Sequence, residues 1–169
     1  MAKVIKVNYK DIEIKEFMSG IKLSEVADNF KKHYNYPILA AKVDSNIVEL
    51  NESLTRSCKI DFMDRSDPTG NAIYGRTLQF LLVVATKKLL GENVDVVIDF
   101  SIDKGFYVNV INASIDKTTV RKIYDKMIEY VKEDYIINKV SVSRYDAIKY
   151  FKKKKQIDKV KALKYISNT

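Results

Sequence analysis

The sequence predicts an α+β chain in two successive regions, a β-rich unit over residues 1–64 and a helix-and-strand region over residues 65–169. Three observations predict it. Short strands with period-two patterning flank a single amphipathic helix in the first 64 residues. The stretch RSDPTGN at 65–71 then gathers Pro68 and Gly70 as a linker-like break. Beyond it, long stretches with helical spacing alternate with paired apolar strands.

In the first region, VIKVNY and DIEIKEF read as two strands joined by a turn at Asn8–Lys10. Leu23, Val26, Ala27 and Phe30 recur at helical spacing, with Ser24 near the helix start and Asp28 facing out. Pro37 forces extended backbone, and ILAAKVD follows as a strand that turns at Ser45–Asn46 into IVEL. CKIDFMD closes the unit. Strand–strand–helix–strand–strand with a last apolar strand is the order of a β-grasp (ubiquitin-like) fold.

In the second region a helix runs to about Leu90 and stops at Gly91. VDVVIDFSI and GFYVNVI form strands joined by a turn at Asp103–Gly105. Asp116 caps a helix whose Val120, Ile123, Met127 and Val131 make one apolar stripe. IINKVSVS reads as a further strand, and Ser143 with Asp146 starts the helix YDAIKYFKKKK. A last helix carries Ile157, Val160, Leu163 and Ile166.

Composition excludes several classes. A hydrophobic fraction of 46% with 11% aromatic residues is that of a globular chain rather than a disordered one. No apolar run approaches the roughly 20 residues that span a bilayer, so no membrane partner is expected. The lone Cys58 has no partner for an internal disulfide, which suits a reducing cytoplasm. The net charge of +8 is local: Lys149 to Lys164 holds eight lysines against Asp158, and the other 22 basic and 21 acidic residues nearly cancel.

Residues 1–64 resemble the TGS domain, the ubiquitin-like module that begins threonyl-tRNA synthetases, through KLSEVAD, ILAAKVDSNIVELNESL and CKIDFMD. IYGRTLQFLLVVATKKLL, VDVVIDFSI and IDKGFYVNV resemble the second, editing domain of the same synthetases. In that family the helix holds a His-x-x-x-His pair, completed downstream by a Cys-x-x-x-His pair. Here the two helical positions fall on Arg76 and Phe80, which cannot share a metal or a water as two imidazoles can. Uridine kinase-like nucleoside kinases carry the same tandem and typically lack the histidines. IYGRTLQFLLVVA is similar to their version of the helix. The resemblance therefore implies the N-terminal binding or regulatory region of a larger nucleoside kinase-like enzyme, non-catalytic in itself. The alternatives are an N-terminal piece of a threonyl-tRNA synthetase with a lapsed editing site, or an RNA-binding module. On the same footing, the second domain is expected to be incomplete at its C-terminus. A missing catalytic domain would use ATP and magnesium, and tRNA or a nucleotide is the expected ligand.

Two sets of candidate site residues follow. In the first, Arg76 and Phe80 share a helix face, either as a rim arginine beside a core phenylalanine or as part of a degenerate cleft lined by Tyr74, Tyr107 and Asn109. The second is the lysine cluster Lys149, Lys152, Lys153, Lys154, Lys155 and Lys159, read either as a solvated helix face or as a polyanion contact. GNAIYGRT nearly spells a phosphate-binding loop, but Arg76 stands where that loop needs a lysine. His33, the one histidine, lacks a second imidazole or thiol to make a metal site. Asp99 and Asp103 flank a strand end and read as solvated acids. No catalytic or metal-ligating set is expected.

Overall fold

The first strand, β1 (Val4–Tyr9), buries Ile5, Val7 and Tyr9 and turns its alternate residues to solvent, as period-two patterning requires. In the computed structural model, which describes residues 3–102, 105–154 and 156–165, β1 pairs antiparallel with β2 (Glu13–Met18). The chain continues through β3 (Ile21–Lys22), α1 (Leu23–Asp28), a 3₁₀ turn (Lys31–His33), β4 (Ala40–Val43), β5 (Asn46–Val48), β6 (Ser53–Leu54) and β7 (Cys58–Met63). Five of these strands form a mixed sheet in the order β2-β1-β7-β4-β5, with β1 and β7 parallel at its centre and α1 contributing to the core. This is the β-grasp arrangement. Its core joins Ile5, Val7 and Tyr9 to Leu23, Val26 and Phe30 of the helix segment and Cys58, Ile60 and Phe62 of β7.

Local chemistry fixes the sheet's turns. Lys10 and Asp11 both take positive φ (50° and 59°), so the β1–β2 turn lies at Lys10–Ile12 rather than at Asn8–Lys10. Asn8 stabilises it by donating to the Asp11 carboxylate (2.9 Å) and accepting from the Asp11 amide (3.0 Å). The β4–β5 turn is Asp44–Ser45, one residue earlier than the sequence suggests. Asp44 accepts from the Lys59 amide (2.9 Å) and pairs with Arg56 (2.7 Å), tying the turn to β7. No side chain caps α1. The Leu23 and Ser24 amides donate to the carbonyls of Glu52 and Leu50 instead. The two-residue strands β3 and β6 escape periodicity because nothing that short has a period.

Where β1 turns away after Lys10, the next β7 donor, the Phe62 amide, is taken by the Tyr34 hydroxyl (3.2 Å). That hydroxyl also accepts from Tyr9 (3.0 Å) and donates to Asp61 (3.3 Å). Burial, then the Tyr9 hydrogen bond, pushes the Tyr34 phenol well above its ordinary pKa, so it stays protonated.

The stretch 65–71 is not a free linker. Helix α2 (Pro68–Leu90) begins inside it, with Asp67 as N-cap accepting from the Thr69 and Gly70 amides (2.8 and 3.1 Å). Pro68 is the first helical residue, where its missing N–H costs nothing and its fixed φ helps. Gly70 packs so closely that a Cβ there would lie 2.0 Å from the Asp64 carbonyl oxygen. Both residues read as breakers in sequence and act here as helix starters.

Gly91, at φ 101°, ends α2. β8 (Asp95–Ile102) and β9 (Gly105–Ile111) form a hairpin with a register shift between Ile98 and Ser101. Of the turn expected at Asp103–Gly105, residues 103–104 lie outside the described residues and Gly105 is the first residue of β9. Val94 is buried and Val96, Ile98, Val108 and Val110 are half-buried on one hairpin face, which meets α2 where Phe106 approaches Gly75. Asp116 accepts from the Thr119 amide (2.7 Å) and caps α3 (Lys117–Lys132) as expected. Of the α3 stripe, Ile123 is buried and Met127 half-buried, whereas Val120 and Val131 are exposed.

The chain divides into two compact units, Met1–Glu129 and Tyr130–Thr169. In the second, IINKVSVS forms no strand: residues 136–143 carry no regular structure, and Ile136, Ile137, Val140 and Val142 are exposed. Its β propensity has no ladder partner among the described residues, and a strand without one leaves its amides to water. Ser143 caps α4 (Arg144–Lys153), accepting from the Asp146 amide (3.1 Å). Arg144 donates to the Lys164 carbonyl (2.8 Å), which places a cation at the end of α5 (Ile157–Leu163). Val160 is buried, while Ile166 lies outside the described residues.

Two outcomes follow from the joint at residues 64–70. Asp67→Ala should cost about 1 kcal/mol through loss of the cap. Gly70→Ala should cost more, about 1–3 kcal/mol, because backbone must move to admit the methyl group; urea unfolding of both variants checks the order. The second outcome concerns pH. Hydrogen bonds from Ser66, outweighing desolvation, hold the Asp64 carboxyl below its ordinary pKa. Its folded value is depressed, so its contribution to stability is present above the ordinary carboxylate range and is lost as pH falls through the folded value. Thermal melting across that acid range should show the loss in the parent chain, and Asp64→Asn should flatten it.

Candidate functional site

The two sets of candidate residues lie in different elements. On α2, Arg76 and Phe80 stand one turn apart and both are exposed. Phe80 is 52% accessible, so it is not the core phenylalanine that its apolar surroundings in sequence suggest. Tyr74 lies under the Arg65 guanidinium, 5.5 Å from ring centroid to charge. On the hairpin, Tyr107 stacks on Phe100 with centroids 5.0 Å apart and planes 6° from parallel. Asn109 pairs across the ladder with Val97. Strand alternation places Tyr107 and Asn109 on the face opposite Phe106, and it is Phe106 that approaches α2 at Gly75. No hydrogen bond, ion pair or ring contact joins any of Arg76, Phe80, Tyr74, Tyr107 and Asn109 to another.

GNAIYGRT lies wholly within α2. Its amides are committed to a helix and cannot curl around a phosphate as a Gly-rich loop does. His33, in the 3₁₀ turn, stacks on Tyr9 with centroids 5.6 Å apart. Among the described residues no group of three or more His, Cys, Asp or Glu side chains is placed to hold a metal ion. Cys58 is buried in the β-grasp core, and burial pushes its thiol above the ordinary value, the behaviour of a structural rather than a reactive cysteine. No helix among the described residues is long and apolar enough to cross a membrane.

The lysine set is better organised. On α4, Ala147, Ile148 and Phe151 are half-buried along one stripe, and Tyr145, Lys149, Lys152 and Lys153 project on the exposed side at helical spacing. Asp146 is engaged in the cap with Ser143 and makes no ion pair with these lysines among the described residues. Lys159 of α5 lies over the Phe151 ring at 5.2 Å, which leaves its charge displayed beside those of α4. Lys154 is exposed at the end of α4, and Lys155 lies outside the described residues.

Two features escaped the sequence reading. A shallow cavity of about 320 Å³ opens on the β-grasp sheet, lined by Lys42, Asp44, Ser45, Lys59 and Asp61. Its acids are matched by Arg56 and Lys10, and Lys59 is hydrogen-bonded to Asp11. Burial lowers the Lys10 pKa, but the hydrogen bond and charge of Asp61 outweigh it and leave it above the ordinary value. The other feature is Arg65, whose guanidinium lies over Tyr36 at 4.8 Å as well as over Tyr74. No local motif announces a cation whose partners are 29 and 9 residues away in the chain.

No protein-family profile matches the chain. The curated proteins to which it is similar include threonine–tRNA ligases of three bacteria. That of Clostridium kluyveri is 32% identical over 165 residues, covering 97% of this chain and 25% of the relative. That of Clostridium botulinum is 29% identical over 161 residues (95% and 25%), and that of Acetivibrio thermocellus 26% identical over 162 residues (95% and 25%). These relatives support the synthetase reading of the sequence and lend none to the nucleoside kinase reading. Over nearly all of its length, the chain is similar to threonine–tRNA ligases and spans about a quarter of theirs.

Proposed function

We propose that this chain is a tRNA-contacting region of a threonyl-tRNA synthetase-like protein whose editing site has lapsed. The single observation that carries the reading is the similarity to threonine–tRNA ligases along 97% of the chain. It joins with a physical one: Arg76 and Phe80 occupy the helix positions where the resembling domain holds imidazoles. Hydrolysis of an ester needs a base, a metal or an ordered water at the scissile bond. A guanidinium stays protonated and cannot serve as that base, and a phenyl ring has no lone pair. What remains for the chain is binding. A catalytic domain elsewhere in the parent protein would supply ATP and magnesium chemistry.

The exposed face of α4 supports RNA as the ligand. Lys149, Lys152 and Lys153 put three charges along one helix side, and Tyr145 on the same side offers a ring to a base or ribose. The parting of Arg76 and Phe80 from Tyr107 and Asn109 argues against a nucleotide cleft built from those residues.

A tRNA transcript titrated into the chain should bind saturably and weaken steeply with salt. Replacing Lys149, Lys152 and Lys153 by Gln should lower the log K against log salt slope by about two to three. Mischarged tRNA should be deacylated no faster than in buffer. Salt-insensitive binding unchanged in the triple variant would sink the RNA assignment, and deacylation abolished by Arg76→Ala would sink the lapsed-site reading.

A further inference from the structure

Arg65 leaves β7 and precedes α2, at the joint fixed by Asp64 and Asp67. The two acids beside it in sequence are already engaged. Asp64 accepts from the Ser66 amide (2.8 Å), the Ser66 hydroxyl and the Tyr36 amide (3.2 Å), and Asp67 accepts from the Thr69 and Gly70 amides. Among the described residues Arg65 has neither an ion pair nor a hydrogen bond; its guanidinium lies over two rings, Tyr36 at 4.8 Å and Tyr74 at 5.5 Å. An aromatic ring attracts the guanidinium charge without consuming its N–H donors as a carboxylate would. The side chain is therefore ordered in advance, exposed, and still holds a fork of unspent donors. Such a fork matches the geometry of a phosphate and pays little further rotamer entropy on binding one. Tyr36 and Tyr74 are themselves partly accessible, at 45% and 37%, and present ring surface next to the charge. Arginine with exposed tyrosines is the chemistry of nucleic-acid strands, where phosphates alternate with bases and sugars.

We propose that Arg65, held by Tyr36 and Tyr74, is a contact for the phosphate backbone of RNA, separate from the α4 lysines. This rests on the RNA-contacting reading above and adds a second point of attachment in another part of the chain. The tyrosines act as positioning residues, and the guanidinium touches the phosphate.

The test has two arms on the full chain. In one, inorganic phosphate and, separately, a tRNA transcript are titrated while the Arg65 Nε–Hε resonance is followed by NMR. In the other, a tRNA transcript is titrated across salt concentrations into the parent chain, Arg65→Ala, Arg65→Lys, Tyr74→Leu and the triple lysine variant. Thermal melting confirms that each variant is folded. We expect tRNA to shift the Arg65 resonance and Arg65→Ala to lose about tenfold in affinity with a slope smaller by about one. Arg65→Lys should recover the slope but not the full affinity, and Tyr74→Leu should weaken binding with the slope retained. A merely structural Arg65 would change the melting midpoint and leave the salt slope alone, which overturns the proposal. If tRNA binds and the lysine variant weakens it while Arg65→Ala does not, the proposal falls and the RNA reading stands. A shift with inorganic phosphate but none with tRNA would mark a free-phosphate site and overturn the RNA assignment. Absence of any tRNA binding would overturn both readings.

Discussion

The carboxylate and carbonyl of Asp64 are the constraint on which the architecture of the larger unit rests. Asp64 is 2% exposed, and its side chain holds the Tyr36 amide from the loop before β4 and both polar groups of Ser66. Its carbonyl accepts from the Asp67 amide (3.2 Å) and lies against Gly70. A buried carboxylate is tolerable only when donors surround it, and here the donors come from both sides of the joint. The end of the β-grasp sheet and the start of α2 are consequently set by one residue. Arg65, carried between them, inherits its position over Tyr36 and Tyr74 from that fixation.

Helix α2 then carries the β8–β9 hairpin, but it does so with little burial. Only Gly70, Ala85 and Thr86 of its 23 residues are buried, while Tyr74, Leu78, Phe80, Val84 and Leu89 are exposed. A helix apolar on all sides has the composition of one packed on all sides. The hairpin repeats the pattern, with Val97, Phe100, Tyr107 and Ile111 accessible on the face turned from α2. This half-covered state contrasts with the β-grasp unit, where Ile5, Val7, Leu23, Val26, Phe30 and Ile60 are at most 1% exposed. The two parts of the first unit therefore differ in how completely each satisfies its own apolar surface. At about 25 cal/mol per Å² of apolar surface buried, the β-grasp core is the better-stabilised part.

Electrostatics divide in the same way. On the β-grasp sheet, opposite charges are matched locally, as in Lys10–Asp61 (2.9 Å) and Arg56–Asp44 (2.7 Å), and such exposed pairs position turns more than they stabilise them. On α4, Lys149, Lys152 and Lys153 have no matching acid in an ion pair among the described residues. Unmatched like charges repel one another along a helix, a repulsion that a polyanion would relieve, whereas the matched pairs of the β-grasp sheet leave no such excess.

Elements whose cause is local can be read from the order of residues alone. Alternation in VIKVNY and CKIDFM, the spacing of Leu23, Val26 and Phe30, the Asp116 and Ser143 caps, and the stop at Gly91 each act within a few residues, so the β-grasp core and the helix ends were legible. The lysine face of α4 was legible for the same reason, because helical spacing alone puts Lys149 and Lys153 on one side. What needed tertiary contact was decided elsewhere. Pro68 and Gly70 start a helix because Asp64 and Asp67 meet them, and IINKVSVS stays irregular because no described strand pairs with it. Tyr107 and Asn109 lie away from α2 because the hairpin's register presents Phe106 to Gly75. Arg65 is held by rings distant in sequence, a juxtaposition that no spacing along the chain encodes and that only the folded joint creates.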